Sequence, residues 1–507
     1  MLWQHLGAGP LSCPACAWRG VDSVAMGPLL MQNYGLLTAV LYIVVVALVL
    51  VLIYEERDPS TTLAWVLVLV LLPGLGVLLF MFFGLNWRVL GRADKKRTAA
   101  LMRSDEMIAP VYERYADASK EIGRTHPAIA GQLVAAIHAQ NRTAPLPCTG
   151  LRIFTSGADE FTSLLDDIEN AGSHVHLEYF IWEQDELTAR FCRLLAEKVR
   201  QGVEVRVLYD WIGSLGYGKR QLRELARAGA QVRADATGWG KLNYRNHRKI
   251  AVVDGLIAHT GGMNMGQEYI DGKPRYASWR DTNVRFGGPL VADLQRLFCE
   301  RWVRASGEDL FSSRYFPGLE ESAGSTVWAQ VVRSGPESRW PAVRNAFLLA
   351  IGSAERRVQV QSPYFVPDQS IEDALTAQSL AGVKTRLMMT GVPDKRIAWW
   401  AAFTYLDDLV EAGGRVFQYQ AGFFHPKTMT VDGVVAIIGT ANFDIRSFAL
   451  HDELSIVFYD RDVAAHVDAI FEEDIGRCAE FTREDARAVS GPARMRNALA
   501  RLSSRLL

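Results

Sequence analysis

Cysteine is scarce and scattered in this 507-residue chain: Cys13, Cys16, Cys148, Cys192, Cys299 and Cys478 are the only six. That excludes a dense disulfide framework and favours a reducing compartment. Cys13-Pro14-Ala15-Cys16 is half of a zinc-ribbon pattern, but no second pair completes four ligands. Charge of one sign is also missing. A formal net charge of −1 argues against a general nucleic-acid binder, and no nucleic-acid partner is expected. No carboxylate cluster of the kind that holds Mg²⁺ stands out, so neither a metal nor another cofactor is expected.

Charge is wholly absent from Gly35 to Tyr54, a run long enough to cross a bilayer as a helix. A polar turn, Glu55 to Ser60, leads into a second apolar run from Thr61 to Phe83 that contains Pro73-Gly74. After an N-terminal extension (1–33), the pattern predicts a two-helix transmembrane hairpin over 34–85. Arg88, Arg92, Lys95, Lys96 and Arg97 follow the second run, whereas the turn carries only Arg57. The positive-inside rule therefore places the large C-terminal part on the cytoplasmic side.

What the chain does have is a repeated pattern. His247-Arg248-Lys249 leads to Asp254-Gly255, and His425-Pro426-Lys427 leads to Asp432-Gly433. Asn264 and Asn442 follow at the same spacing from their histidines, which marks an internal repeat. The alternation after each histidine, ending at Asp-Gly, predicts a strand entering a hairpin. His247 and Lys249 then share a face, as do His425 and Lys427. An imidazole can attack phosphorus or donate a proton, an ammonium neutralises phosphate charge, and the Asn amides add donors. Asp254 and Asp432 belong to the same motif set. Their odd offset on a strand points them away from the phosphate, so they read as turn or ion-pair groups.

Helices and strands alternate through both halves, with strands at His174–Ile181, Val203–Tyr209, Val358–Ser362 and Lys384–Met389. This predicts an α/β fold with a largely parallel sheet covered by helices on its faces. The expected segments are a basic juxtamembrane helical connector lying near the membrane (86–150), two similar halves (151–310 and 325–480) and a C-terminal amphipathic helix (481–507). In that last helix Met495, Leu499, Leu502 and Leu506 recur at helical spacing among Arg494, Arg496, Arg501 and Arg505. Its apolar stripe either lies on a membrane surface or packs on the domain.

The two H-x-K-x-x-x-x-D-G motifs resemble those of the phospholipase D superfamily. The match runs from about Leu151 to Asp460 and is most similar to bacterial cardiolipin synthases. The closer likeness lies in Asn243–Lys249, Trp279-Arg280-Asp281-Thr282, Ser362–Pro367 and Asn442–Ser447. The resemblance implies two phospholipase D-like α-β-α halves sharing one active site, with Tyr179 corresponding to Tyr364. It implies catalysis by His247, Lys249, Asp254, His425, Lys427 and Asp432, with Asn264 and Asn442 binding phosphate. Asp281 and Glu453 match the carboxylates that orient the imidazoles. A phosphohistidine intermediate is implied; His247 is assigned as nucleophile and His425 as general acid, then base, with the reverse assignment equally allowed by the pseudosymmetry of the two motifs. In Leu450-His451-Asp452-Glu453 the chain departs from the family, which more often has Asn and an aromatic there. His451 reads as a surface residue.

The implied reaction joins two phosphatidylglycerol molecules into cardiolipin and releases glycerol. The implied setting is the bacterial inner membrane, multi-pass, with the catalytic part cytoplasmic and homo-oligomerisation left open. A hydrolytic phospholipase D, a synthase using another phospholipid donor and a catalytically silent membrane scaffold are the alternatives.

Overall fold

The computed structural model describes residues 26–55, 59–84, 95–125, 128–235, 244–317 and 327–504. Cys13, Cys16, Arg88, Arg92, Asn243, Arg505 and Leu506 lie outside them. The chain divides into two compact units, Met1–Leu85 and Asn86–Leu507.

In the first unit, one helix covers Met26–Tyr54, and its Gly35–Tyr54 stretch is the single span among the described residues that is long and apolar enough to cross a membrane. The second apolar run, expected as one span, is broken into Pro59–Leu71 and Pro73–Leu79, followed by a π-turn at Phe80–Gly84. Leu72 leaves helical geometry (φ −129°, ψ 61°) because the ring of Pro73 crowds the residue before it. Val45, Leu52, Leu69 and Phe80 form a small buried core, with Trp65 set edge-on to Phe80 at 5.3 Å. Most other apolar side chains, among them Leu36, Ile43, Ile53, Leu67 and Leu71, face outward. A coat of that kind suits lipid rather than water.

The second unit is built on one fifteen-stranded sheet. Its first half runs, in spatial order, through Leu146–Phe154, Asn283–Gly287, Ile257–Gly261, Ile250–Val253, His174–Tyr179, Glu204–Asp210 and Gln231–Asp235. The second half repeats that order from Val327–Ser334 through Glu453–Phe458, Val435–Gly439, Thr428–Val431, Arg357–Gln361 and Lys384–Thr390 to Arg415–Tyr419, then adds Cys478–Phe481 at the edge. Leu146–Phe154 and Val327–Ser334 pair antiparallel, fusing the halves. The sheet is mixed rather than largely parallel: three strands toward the outside of each half are parallel, but each motif strand doubles back antiparallel and the added edge strand Cys478–Phe481 is antiparallel too.

The reversals are forced by the Asp-Gly pairs. Asp254 and Gly255 sit at φ 54° and 67°, Asp432 and Gly433 at 55° and 66°, the two positive angles that a tight hairpin turn requires. The register also corrects one expected correspondence. Val175 lies opposite Val253 as Val358 lies opposite Val431, so Tyr364 matches Ile181, not Tyr179, whose ring is buried in the first-half core.

The connector is more than a membrane-side linker. Ile122, Ile129, Leu133, Val134 and Ile137 enter the second-half core beside Val343 and Phe347. Leu146–Phe154 also crosses the expected 150/151 boundary as the joining strand. In the C-terminal helix, Gly491–Leu502, the face that packs is Asn497 and Ala500, with Arg496 over Trp400 and Arg501 over Tyr405. Met495, Leu499 and Leu502 are 63%, 58% and 82% exposed, so the apolar stripe does not pack on the domain.

Candidate active site

Neither motif strand begins at its histidine. Residues 247–249 and 425–427 are irregular, and the strands start at Ile250 and Thr428. The preceding residues instead pair with the opposite half: Phe423–Phe424 runs parallel to Trp279–Arg280, and Asn246 bridges to Asp452. His247 N–H donates to the Asp452 carbonyl at 3.0 Å, and His425 N–H to the Arg280 carbonyl at 2.8 Å. In the sheet the motif strands are separated by six others, yet these cross-half pairings bring both histidines to one cavity.

That pairing decides which carboxylate holds which ring. His247 Nδ1 lies 2.9 Å from a Glu453 oxygen, and His425 Nδ1 lies 2.6 Å from Asp281 Oδ2. Each imidazole is thus oriented by the other half's carboxylate, not by the one that follows it in its own half. Both carboxylates are fully buried. Thr440 Oγ1 also donates to Glu453, and the Thr282 N–H donates to Asp281 at 2.8 Å. With Nδ1 occupied, Nε2 is the nitrogen each ring has left for chemistry.

The cavity, about 680 Å³, is lined by both histidines together with Asn264, Asn442, Phe180, Ile181, Tyr364, Arg245, Arg446 and His451, among others. Asn264 is fixed by the Ile181 N–H (3.1 Å) and by donating to Tyr269 Oη (3.0 Å); the buried Oδ1 of Asn442 has no hydrogen-bond partner among the described residues. Lys249 and Lys427 lie beneath the wall. Their ammonium groups donate to the carbonyls of His247 (2.7 Å) and His425, and Lys427 also reaches Asp281 at 3.5 Å. Asp254 and Asp432 are absent from the cavity. They accept from the N–H groups of Gly172, Ser173 and His174, and of Glu355, Arg356 and Arg357, at 2.7–2.8 Å. Placing them among the catalytic groups is therefore corrected: they pin the turns to the neighbouring strands.

Burial dominates the electrostatics. It pushes His425 down to about 4, aided by the Lys427 charge and opposed by Asp281. His247 is held well below the ordinary value by burial and by the charges of Lys249, Lys427 and His425. Burial lowers Lys249 to about 7 against the pull of Glu453, and Lys427 to about 8 against Asp281. Burial alone would raise Asp281, but Lys427 and His425 outweigh it and keep the carboxyl below its usual range.

The sequence reading missed His451. Its ring lies 5.6 Å from that of His247, and its Nδ1 is 3.7 Å from Glu453 Oε1, so it is a wall of the site and not a surface residue. The same pairing register puts Trp279 in the equivalent place, 6.1 Å from the His425 ring. The departure from the family pattern at Leu450–Glu453 was the available signal. His247, His451 and Glu453 also bring donor atoms within 4.8 Å of one another, a grouping able to hold a metal ion.

Family profiles agree with this geometry. Residues 164–298 and 347–475 match the cardiolipin synthase, phospholipase D-like domain, and 40–84 match the phospholipase D-nuclease N-terminal family. The chain is 35% identical to a cardiolipin synthase of Oceanobacillus iheyensis over 96% of this chain and 100% of that one. It is 33% identical to the major cardiolipin synthase of Bacillus subtilis over 94% and 100%. Among solved structures, phosphatidylserine synthase of Haemophilus influenzae shares the fold (TM-score 0.56, 14% identity, 74% of this chain and 100% of that one). With a histidine from each of two repeats facing one cavity and likeness along almost its full length, the chain belongs to the cardiolipin synthases of the phospholipase D superfamily.

Proposed function

We propose that this phosphatidyltransferase condenses two phosphatidylglycerol molecules into cardiolipin and glycerol through a phosphohistidine. The observation that carries the reading is the crosswise pair of carboxylate-held imidazoles facing one cavity. In the first step His247 Nε2 attacks the donor phosphorus, and His425 gives its proton to the departing glycerol oxygen. In the second, His425 takes the proton of the acceptor's hydroxyl, whose oxygen attacks phosphorus and breaks the phosphorus–nitrogen bond.

The surroundings support that division of labour. His425 has Asp281 at 2.6 Å, which raises its proton affinity against burial, and the rings of Phe423, Trp279 and Tyr269 around it. Glu453 divides its acceptance between His247 and Thr440, which leaves His247 better suited to stay neutral and attack. Asn264 and Asn442 supply amide donors at the wall. Lys249 and Lys427 contribute positive charge from below.

The apolar N-terminal unit supports a membrane setting where the phosphate is a lipid head group. The basic residues from Arg88 to Arg97 favour a cytoplasmic catalytic part. The test is a product assay with the purified full chain in phosphatidylglycerol vesicles. Cardiolipin and glycerol in equal amounts are expected, and activity survives EDTA. Phosphatidic acid as the main product would replace the reading with hydrolysis; loss under EDTA that added metal restores would overturn the metal-free mechanism.

A further inference from the structure

Arg245, Lys273, Lys395, Arg396 and Arg446 all put basic side chains on the cavity wall, and two of them are tied to the His247 end of it. These two are Arg245 and Arg446. The buried Nη1 of Arg245 has no hydrogen-bond partner among the described residues, while its carbonyl accepts the Asp452 N–H at 2.7 Å, which fixes its backbone one residue from the cross-half bridge. Arg446 Nε donates to His451 Nε2 at 3.4 Å. Burial lowers both guanidinium groups, and the charge of Arg446 lowers Arg245 further. Asp210 offsets this in part for Arg245 and Asp444 for Arg446, while both carboxylates also hold backbone: Asp210 accepts the N–H groups of Ile212, Gly213 and Asn246, and Asp444 that of Ser447. Two like charges held on one desolvated wall leave room for an anion between them.

Position says which anion. The reacting phosphorus must sit between the two imidazoles, whereas Arg446 is hydrogen-bonded to His451, whose ring lies 5.6 Å from that of His247. We propose that Arg245 and Arg446 form a second phosphate subsite, which takes the phosphodiester of the acceptor phosphatidylglycerol while its terminal hydroxyl attacks at the histidines. The acceptor's phosphate is a three-carbon glycerol away from that hydroxyl, and the donor has no other phosphate to place there. Water carries no such handle, so the subsite favours transfer over hydrolysis. The proton and bond changes are those of the second step above, and the reading rests on that transfer chemistry.

The experiment gives the full-length protein, in phosphatidylglycerol vesicles, a choice of acceptors by adding ethanol, which lacks a phosphate. Arg245→Gln and Arg446→Gln are expected to lower the ratio of cardiolipin to phosphatidylethanol by about tenfold each, the loss of one charge-assisted contact. Arg245→Lys should keep part of it. The share of phosphatidic acid should rise. An unchanged ratio, or both products falling in parallel in all three variants, overturns the proposal, because the arginines would then serve the donor or the fold. Wild-type protein that yields phosphatidic acid and no cardiolipin would instead sink the transfer reading itself.

Discussion

The two halves of the catalytic unit differ least where they fold and most where they meet. Asp254 and Asp432 occupy the same positive-φ position, each gathering three backbone N–H groups at the foot of the neighbouring strand. At the seam the repeats diverge. Arg280 and Asp452 occupy equivalent places with opposite charge: Arg280 pairs with Asp474 of the second half, Asp452 with Arg301 of the first. Beside them, Trp279 faces His425 and His451 faces His247. Opposite charges at matched positions let unlike halves dock and set like halves against each other. The repeat is kept for the scaffold and abandoned for recognition.

Removing either imidazole should break this arrangement most severely. His247→Ala and His425→Ala are each expected to lower cardiolipin formation by at least about a thousandfold with the melting temperature little changed, since the first removes the proposed nucleophile and the second the proposed proton carrier. Equal activity in wild type and variants would favour a silent scaffold.

The crosswise carboxylates come next. Glu453→Gln should impair His247 and Asp281→Asn should impair His425, by roughly a hundredfold or more in kcat and with little change in KM. Proton NMR of the two imidazoles separates the models: each substitution should shift the ring of the opposite half. A shift confined to the same half would contradict the exchange of partners.

The conserved feet of the halves are structural levers. Asp254→Ala or Asp432→Ala each removes three N–H contacts at a position with positive φ and should cost about 2–4 kcal/mol of stability by denaturant unfolding. Activity per folded molecule should change far less than for the histidine variants.

The most diffuse effect is that of pH on stability, which is spread over several groups. Burial holds His174 and His425 at about 4 and His451 at about 3. The unfolded chain binds protons at the ordinary histidine value of 6.5 while the fold does not. The stability they contribute is therefore fully present above 6.5 and declines as the pH falls toward 4. Thermal melting across that range should show the decline, and His174→Gln should flatten part of it.

The motif residues were readable because their information is local. Spacing alone grouped His247, Lys249 and Asn264 and repeated them at His425, Lys427 and Asn442, and parity alone turned the two Asp-Gly aspartates outward. Which carboxylate serves which imidazole was not readable. That pairing depends on short strands such as Trp279–Arg280 meeting Phe423–Phe424, a contact between distant segments that no periodicity announces. The break at Leu72 was implicit in Pro73, but the apolar run around it was read as continuous. Ile129 and Leu133 looked like part of a linker because their partners, Val343 and Phe347, lie far along the chain.

The exchange of carboxylates has a consequence for synthesis. As the chain leaves the ribosome, His247 emerges long before Glu453, the group that aligns it. Through that interval the first half carries an imidazole that nothing aims, in a cleft with one wall missing. On the proposed roles, the reactivity of His247 is thereby deferred until nearly the last strand has been made, and a chain interrupted before Glu453 lacks the group that aims it.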